Sequence, residues 1–69
     1  MGAYVSNGVQ RLRAERDVTQ EELARRVGVS RQTIIAIERG RYTPSILLAL
    51  KIARYFHVAV EDIFSIRYE

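Results

Sequence analysis

The chain has 69 residues, no cysteine and one histidine, and its eleven cationic and eight acidic residues give a formal charge of +3. This length accommodates one domain, expected to span residues 1–69, and the lack of cysteine excludes disulfides, thiolate metal clusters and a cysteine nucleophile. One histidine is too few for a three-histidine or HExxH zinc site, and the sequence offers no serine–histidine–acid grouping. We therefore expect no enzyme, no metal site and no cofactor.

The composition is that of a folded domain. Hydrophobic residues make up 48% of the chain and charged residues 28%, which is normal for a globular protein and too apolar for a disordered one. No apolar run approaches the roughly 20 residues of a membrane span. We therefore expect no membrane association, and no small-molecule effector site is evident.

Two helices are predicted in the first part of the chain. Asn7 begins a capping-box pattern, which predicts a helix that ends near Arg16. Thr19 begins a second capping box, which predicts a helix over residues 20–26. Gly28 then occupies the position where a helix commonly ends in the left-handed conformation.

Two further helices follow. Ser30 caps a predicted helix over residues 31–39, and Gly40 ends it. Ser45 caps the next helix, which is apolar nearly all round at its start and is therefore expected to be the central one. Its apolar residues are Ile46, Leu47, Leu48, Ala49, Leu50, Ile52, Ala53 and Phe56.

The end of the chain predicts a short fifth helix that includes Ile63 and Phe64. Outside the helices, residues 3–5 and 65–68 are β-branched or aromatic and alternate in polarity, so they are expected to pair as a two-stranded sheet. An isolated ribbon of this kind is marginal in water and needs packing or a partner chain. The predicted fold class is all-α, with five helices and this small antiparallel sheet joining the two ends.

The third predicted helix has an outer face that suits DNA. Ile34 and Ile37 form its inner side, and the outer side carries Gln32, Ala36 and Arg39. An amide, a methyl group and a guanidinium are the groups that read base edges in the major groove. An ordinary solvated helix face explains the same pattern, and on this helix alone both interpretations stay open.

Residues 19–45 resemble the helix-turn-helix of phage repressors and Cro proteins, the XRE family, through the sequence T-Q-E-E-L-A-R-R-V-G-V-S-R-Q-T-I-I-A-I-E-R-G-R-Y-T-P-S. The resemblance continues through L-A-L-K-I-A-R-Y-F and E-D-I-F and covers residues 9–64. It implies a lambda-repressor-like DNA-binding domain with its helix-turn-helix at residues 20–39. The terminal extensions resemble a compact subgroup that includes the cytolysin operon repressor, whose ends pair as a β-hairpin and whose chains dimerise.

The resemblance assigns DNA contacts to particular positions. Base-reading side chains are expected at Arg31, Gln32, Thr33, Ile35 and Ala36. Phosphate-binding groups are expected at Gln20, Ser30, Arg39, Arg41, Tyr42, Thr43 and Ser45. These residue types agree with that role, because helix N-termini and arginines are natural phosphate ligands.

Glu38 is expected to have a structural role. It lies near the inner side of the third helix, where an unpaired carboxylate would be costly. The resemblance pairs this glutamate with an arginine of the first helix, here Arg13, and so implies a structural salt bridge with no part in catalysis.

Four positions depart from the pattern of the family. Ala59 replaces the usual capping serine or threonine, so the fifth helix is expected to be weakly capped. Ile35 replaces a small or polar residue, so it contacts a thymine methyl group or is a tolerated surface residue. Leu47 stands where a polar residue is common and suggests extra buried surface at a dimer contact. His57 occupies a helix end that is usually glycine, and we expect it to adopt the left-handed conformation there, because histidine tolerates this better than most residues.

The predicted function is that of a sequence-specific transcriptional regulator that binds double-stranded DNA in the cytoplasm, associated with the nucleoid. One such domain buries roughly 600–1,000 Å² on DNA, so tight binding calls for a homodimer on a palindromic operator, most simply as a repressor. The tail, residues 59–69, is expected to form the dimer through Ile63, Phe64, Ile66 and Tyr68. The alternative is a protein-interaction module, such as an antitoxin or a co-activator, which the surplus of apolar surface would support.

Overall fold

The structure, a computed structural model, describes residues 2–69, and Met1 lies outside that range. It contains four α-helices and a two-stranded antiparallel sheet, with a single 3-10 turn at Val60–Asp62. In chain order the elements are β1, Ala3–Asn7; α1, Val9–Glu15; α2, Gln20–Val27; α3, Arg31–Glu38; α4, Ile46–Phe56; and β2, Phe64–Tyr68.

Side-chain caps fix the starts of three helices. The hydroxyl oxygen of Thr19 accepts a hydrogen bond from the backbone N–H of Glu22 at 3.0 Å, and Ser30 and Ser45 cap α3 and α4 in the same way. Each cap satisfies one of the amide groups that a helix leaves without a partner in its first turn. The three cap positions predicted from the sequence are thus confirmed.

Two helices end in the left-handed conformation. Gly28 ends α2 with φ 78°, and His57 ends α4 with φ 59° and ψ 43°, which confirms the expectation for His57. The N–H of Val58 then donates to the carbonyl oxygen of Ala53 at 3.1 Å and closes the last turn of α4. Asp17 has φ 56°, a feature that the sequence analysis did not predict.

The core is one apolar cluster between the four helices. Helix α2 packs against both α3 and α4. The buried hydrophobic residues are Val9, Leu12, Leu23, Ala24, Val27, Ile34, Ile37, Leu48, Ile52, Ala53, Phe56 and Ile63. Helix α4 was expected to be central, but three large side chains at its start are exposed: Ile46, Leu47 and Leu50.

The sheet joins the two ends of the chain, as the sequence predicted. Ala3 pairs with Tyr68 and Asn7 with Phe64 in an antiparallel register. The N–H of Gly8 donates to the carbonyl oxygen of Ile63 at 2.8 Å, and this bond ties the start of α1 to the residue before β2. The ribbon is therefore held against the helices.

The predicted fifth helix is wrong, because the chain forms only the 3-10 turn at Val60–Asp62. Phe64 already pairs with Asn7 in the sheet, so a helix cannot extend to it. Ala59 offers no side-chain acceptor for a cap, although the carboxylate of Asp62 accepts a hydrogen bond from the N–H of Ala59 at 3.0 Å. The domain therefore has four α-helices.

The cap predicted at Asn7 is displaced by one residue. Gly8 directly precedes α1, whereas Asn7 is the last residue of β1, and its side chain still pairs with the first amide of the helix. The side-chain oxygen of Asn7 accepts from the N–H of Val9 at 3.1 Å, while its amide group donates to the carbonyl oxygen of Ile37 at 2.9 Å. Asn7 thus connects the sheet to α3.

Ile63 cannot belong to an exposed dimer patch, which corrects one of the four tail residues assigned to it. Only 4% of Ile63 is exposed, because this side chain completes the core beside the 3-10 turn. Phe64 is half-buried against the same core, whereas Ile66 and Tyr68 are 59% and 72% exposed. Ile66 and Tyr68 are the members of the predicted patch that remain accessible.

Replacing His57 by glycine is expected to raise the free energy of unfolding by about 0.5–1 kcal/mol, because glycine adopts the left-handed conformation without strain. Urea unfolding measures the change. The control is Lys51→Gly, an exposed position inside α4, where the same change should lower stability by about 1 kcal/mol. Equal losses in the two variants would show that His57 is not strained.

Candidate nucleic-acid interface

The helix-turn-helix consists of α2, a turn at residues 28–30, and α3. The N–H of Val29 donates to the carbonyl oxygen of Ala24 at 3.0 Å, which closes the end of α2 before the chain turns into α3. Ile34 and Ile37 are completely buried and fix the inner side of α3 on the core. The opposite side of α3 therefore has a defined orientation towards solvent.

The outer side of α3 carries the groups predicted from the sequence. Gln32 and Arg39 are exposed, and the methyl group of Ala36 lies between them on the same face, half-buried. Arg31 is exposed at the N-terminal end of the helix. A major groove admits a helix of this kind, so the face has the shape and the chemistry for contact with base edges.

Two other predicted base-reading residues are partly engaged within the protein. The hydroxyl oxygen of Thr33 lies 3.2 Å from that of Ser30, so both belong to the cap of α3. Ile35 is half-buried on the flank of the helix. These two residues are therefore held more firmly than Arg31 or Gln32.

The loop between α3 and α4 presents the predicted phosphate-binding residues. Gly40, with φ 73°, turns the chain, and the N–H of Arg41 donates to the carbonyl oxygen of Ala36 at 2.9 Å. This bond holds the start of the loop close to the outer side of α3. The exposed residues of the loop and its border are Arg39, Arg41, Tyr42, Thr43 and Ser45.

A nearly buried ion pair joins the end of α3 to α1. The Nε of Arg13 donates to Glu38 Oε2 at 2.6 Å and its Nη2 donates to Oε1 at 3.1 Å, a two-point contact. The side chains are 14% and 5% exposed. The remaining Nη1 donates to the carbonyl oxygen of Val18 at 2.8 Å, so Arg13 also holds the segment between α1 and α2.

Gln20, predicted to bind phosphate, contacts the same ion pair. Its side-chain amide donates to Glu38 Oε1 at 2.9 Å. An amide group has two N–H donors, so the second N–H of Gln20 remains for another acceptor. Arg31, Thr19 and Glu21 line an open groove with Gln20, which places the start of α2 beside the start of α3.

Two hydrogen bonds that orient this region were missed by the sequence analysis. The amide of Asn7 contacts the end of α3 through the carbonyl oxygen of Ile37, and Arg16 Nη1 donates to the carbonyl oxygen of Phe56 at 2.7 Å, at the end of α4. A cation near a helix C-terminus is favourable, but only the fold brings residues 16 and 56 together. No local sequence signal could have found either contact.

The free charges of the interface are positive. The salt bridges within residues 2–69 involve Arg11, Arg13, Arg25 and Arg26, so Arg31, Arg39 and Arg41 have no carboxylate partner there. Over the same range, no group of three acidic, histidine or cysteine side chains could hold a metal ion. None of the described helices is long and apolar enough to cross a membrane.

Comparisons with known proteins place the chain among DNA-binding regulators. A family model described as helix-turn-helix matches residues 9–63. An uncharacterised HTH-type transcriptional regulator of Methanocaldococcus jannaschii is 57% identical over 60 residues, which cover 87% of this chain and 91% of that protein. A transcriptional repressor, RstR, of a cryptic CTXphi phage of Vibrio cholerae is 35% identical over 60 residues, which cover 87% of this chain and 54% of the repressor.

A solved structure has the same fold over the whole chain. The transcriptional regulator VanUg superposes with a TM-score of 0.80 at 28% sequence identity. The match covers 100% of this chain and 92% of that one.

Replacing Glu38 by glutamine is expected to lower the free energy of unfolding by about 3–5 kcal/mol, because Arg13 would keep its charge without a partner. Circular dichroism during urea unfolding measures this loss. Glu15→Gln removes the same charge from the exposed pair with Arg11 and is the control, with an expected loss below about 1 kcal/mol. Similar small losses in the two variants would show that Arg13 and Glu38 are not a structural pair.

Proposed function

Because the chain belongs to the helix-turn-helix family of the XRE type, a family of DNA-binding transcriptional regulators, we propose that it binds double-stranded DNA sequence-specifically, with α3 in the major groove. The observation that carries this proposal is the orientation of α3. Its inner side is fixed by Ile34 and Ile37, and its outer side presents Gln32, Ala36 and Arg39. Within residues 2–69, Arg31, Arg39 and Arg41 have no carboxylate partner.

The exposed side chains divide into two roles. Arg31 and Gln32 have the donors and acceptors to read base edges, and Ala36 and Ile35 provide methyl groups for contact with thymine. Thr33 is close enough to the same face to touch base or backbone. The phosphate-binding set is Gln20, Ser30, Arg39, Arg41, Tyr42, Thr43 and Ser45, which supplies affinity and register.

We propose that the functional unit is a homodimer on a palindromic operator. One domain of this size buries too little surface on DNA for tight specific binding, and two-fold dimers read half-sites about 34 Å apart. A dimer also needs an apolar surface, and the chain exposes two: the end of the sheet, with Ile66 and Tyr68, and the start of α4.

We place the dimer contact on the start of α4. Ile46, Leu47 and Leu50 are 80%, 64% and 51% exposed and form a contiguous aliphatic patch on successive turns of the helix. Isolated exposed apolar residues are ordinary, but a patch of this kind marks an interaction site. Ser45, at the DNA-facing loop, directly precedes the patch, so two copies joined there would have their loops close together on one side of the duplex.

We further propose that the protein acts in the cytoplasm as a repressor that occludes a promoter. The resemblance to the phage repressor supports this role. A domain bound to an operator within a promoter blocks the polymerase by occupying the same DNA. Selection of bound sequences from random DNA, followed by footprinting, tests the proposal: enrichment of one motif with two-fold symmetry is expected, and absence of any enriched motif would contradict it.

Replacing Arg31 by alanine is expected to cost about 1–3 kcal/mol of discrimination at one base pair of each half-site. Replacing Arg41 by alanine should weaken all sequences equally and reduce the slope of log affinity against log salt by about 1. Fluorescence anisotropy on the selected operator and on single-base variants measures both effects. If the Arg31 variant lost affinity for operator and random DNA alike, Arg31 would not read bases.

Replacing Leu50 by glutamate is expected to convert the dimer into an 8.0 kDa monomer, because the charge would be buried in the contact between the α4 patches. Sedimentation velocity at micromolar concentration measures the mass. Ile66→Glu introduces the same charge on the sheet and is the control, which should remain dimeric. The opposite result would move the interface to the tail, and a monomeric wild-type protein would contradict dimerisation altogether.

A further inference from the structure

A second basic surface lies between α2 and α4. Arg25 and Arg26, from the last turn of α2, and Lys51 and Arg54, from α4, line an open groove of about 390 Å³ together with Tyr55, Val27 and Gly28. All four cationic side chains are exposed. We call this surface the α2–α4 groove.

The groove carries a large excess of positive charge. Glu22 is the one acid that pairs with these side chains within residues 2–69, through salt bridges with Arg25 and Arg26. Hydrogen bonds from Arg26 and then Arg25 lower the pKa of Glu22, so it stays charged at neutral pH. Lys51 and Arg54 form no salt bridge in this part of the chain. Four cations and one anion leave an excess of three, which equals the formal charge of the whole protein.

The groove is separate from the reading face. No residue of α3 and none of the α3–α4 loop lines it. In the sequence, Arg25 and Arg26 fall within the same basic stretch as Arg31, but the fold places them at the opposite end of α2 from Gln20 and against α4. Lys51 also lines a neighbouring depression with Tyr42 and Ser45, so the groove borders the α3–α4 loop at one end. Arg25, Arg26 and Arg54 do not line that depression.

We propose that the α2–α4 groove binds the phosphate backbone of a second DNA segment, so that one protein connects two duplexes. Arginine presents a fork of donors that matches phosphate, and basic grooves lined in part by an aromatic side chain are typical of nucleic-acid contacts. Lys51 and Arg54 are one helical turn apart, roughly 5–6 Å. The two side chains can thus contact two neighbouring phosphates of one strand. The inference extends the proposed function, but binding in the groove does not require α3.

Bridging of two duplexes tests this proposal. An immobilised duplex is saturated with protein, and capture of a second, fluorescent duplex is measured over a range of salt. The double substitution Lys51→Gln with Arg54→Gln is expected to reduce capture about tenfold and to lower the salt slope by about 1.8, the value for two lost phosphate contacts. Arg67→Gln removes an exposed cation that lies outside the groove and forms no salt bridge within residues 2–69, and it is the control, which should capture as the wild type does.

Affinity for a single duplex separates the two surfaces. Arg39→Ala with Arg41→Ala should weaken single-duplex binding, whereas the groove variant should change it by less than about twofold. If capture were unchanged in the groove variant, or if capture and single-duplex affinity fell together, the proposal would be overturned. If the Arg39–Arg41 variant kept full single-duplex affinity while the groove variant lost only capture, α3 and its loop would lose their proposed role and the groove would keep its own.

Two competitors identify the chemistry of the ligand. Inorganic polyphosphate should displace the second duplex, because it presents the same phosphate groups as the DNA backbone. Poly-glutamate at equal charge concentration should compete at least about tenfold less well, since carboxylates match the guanidinium fork but lack the spacing and charge density of phosphates. Equal competition by poly-glutamate would point to an acidic protein partner and would contradict DNA as the ligand.

Discussion

The buried ion pair between Arg13 and Glu38 holds the DNA-binding unit together. It joins α1 to the end of α3, and through Gln20 and the carbonyl oxygen of Val18 it also fixes the start of α2 and the connection before it. Each side-chain nitrogen and oxygen atom of Arg13 and Glu38 has a partner, and within residues 2–69 no buried side-chain nitrogen or oxygen atom lacks one. Such networks stabilise one arrangement strongly, because any displacement leaves a charge unpaired in the interior. The outward direction of α3 therefore depends on a buried ion pair and not on the exposed side chains of its outer side.

Features set by neighbours in the chain could be predicted from the sequence. The caps at Thr19, Ser30 and Ser45 depend on a hydroxyl three residues before an amide, and the structure has all three. His57 ends α4 in the left-handed conformation because the next residues leave the helix there. The inner and outer sides of α3 follow from the spacing of Ile34 and Ile37. Local rules were sufficient because each of these features spans less than two helical turns.

The remaining features depend on contacts between distant parts of the chain. The fifth helix fails because Phe64 pairs with Asn7, which lies 57 positions earlier. The side chain of Asn7 contacts the end of α3, which is also distant from it in the chain. The α2–α4 groove likewise combines arginines of α2 with cations of α4. In the sequence Arg25 and Arg26 add to a basic stretch with Arg31, and only the packing of α4 on α2 divides that stretch into two surfaces. Charge counted along a chain does not give the direction in which each charge points.

The long-range sheet also has a kinetic consequence. Pairing residues 3–7 with residues 64–68 closes a loop of nearly the whole chain, and the entropic cost of loop closure grows with its length. The helices, by contrast, form from contacts close in sequence, so folding is expected to begin with them and to end with the closure of the ribbon. Because Asn7 reaches from β1 to α3, the last step of folding also completes the hydrogen bonds that hold the end of α3. A chain emerging from the ribosome would thus complete the packing of α3 only after residue 68 has been released.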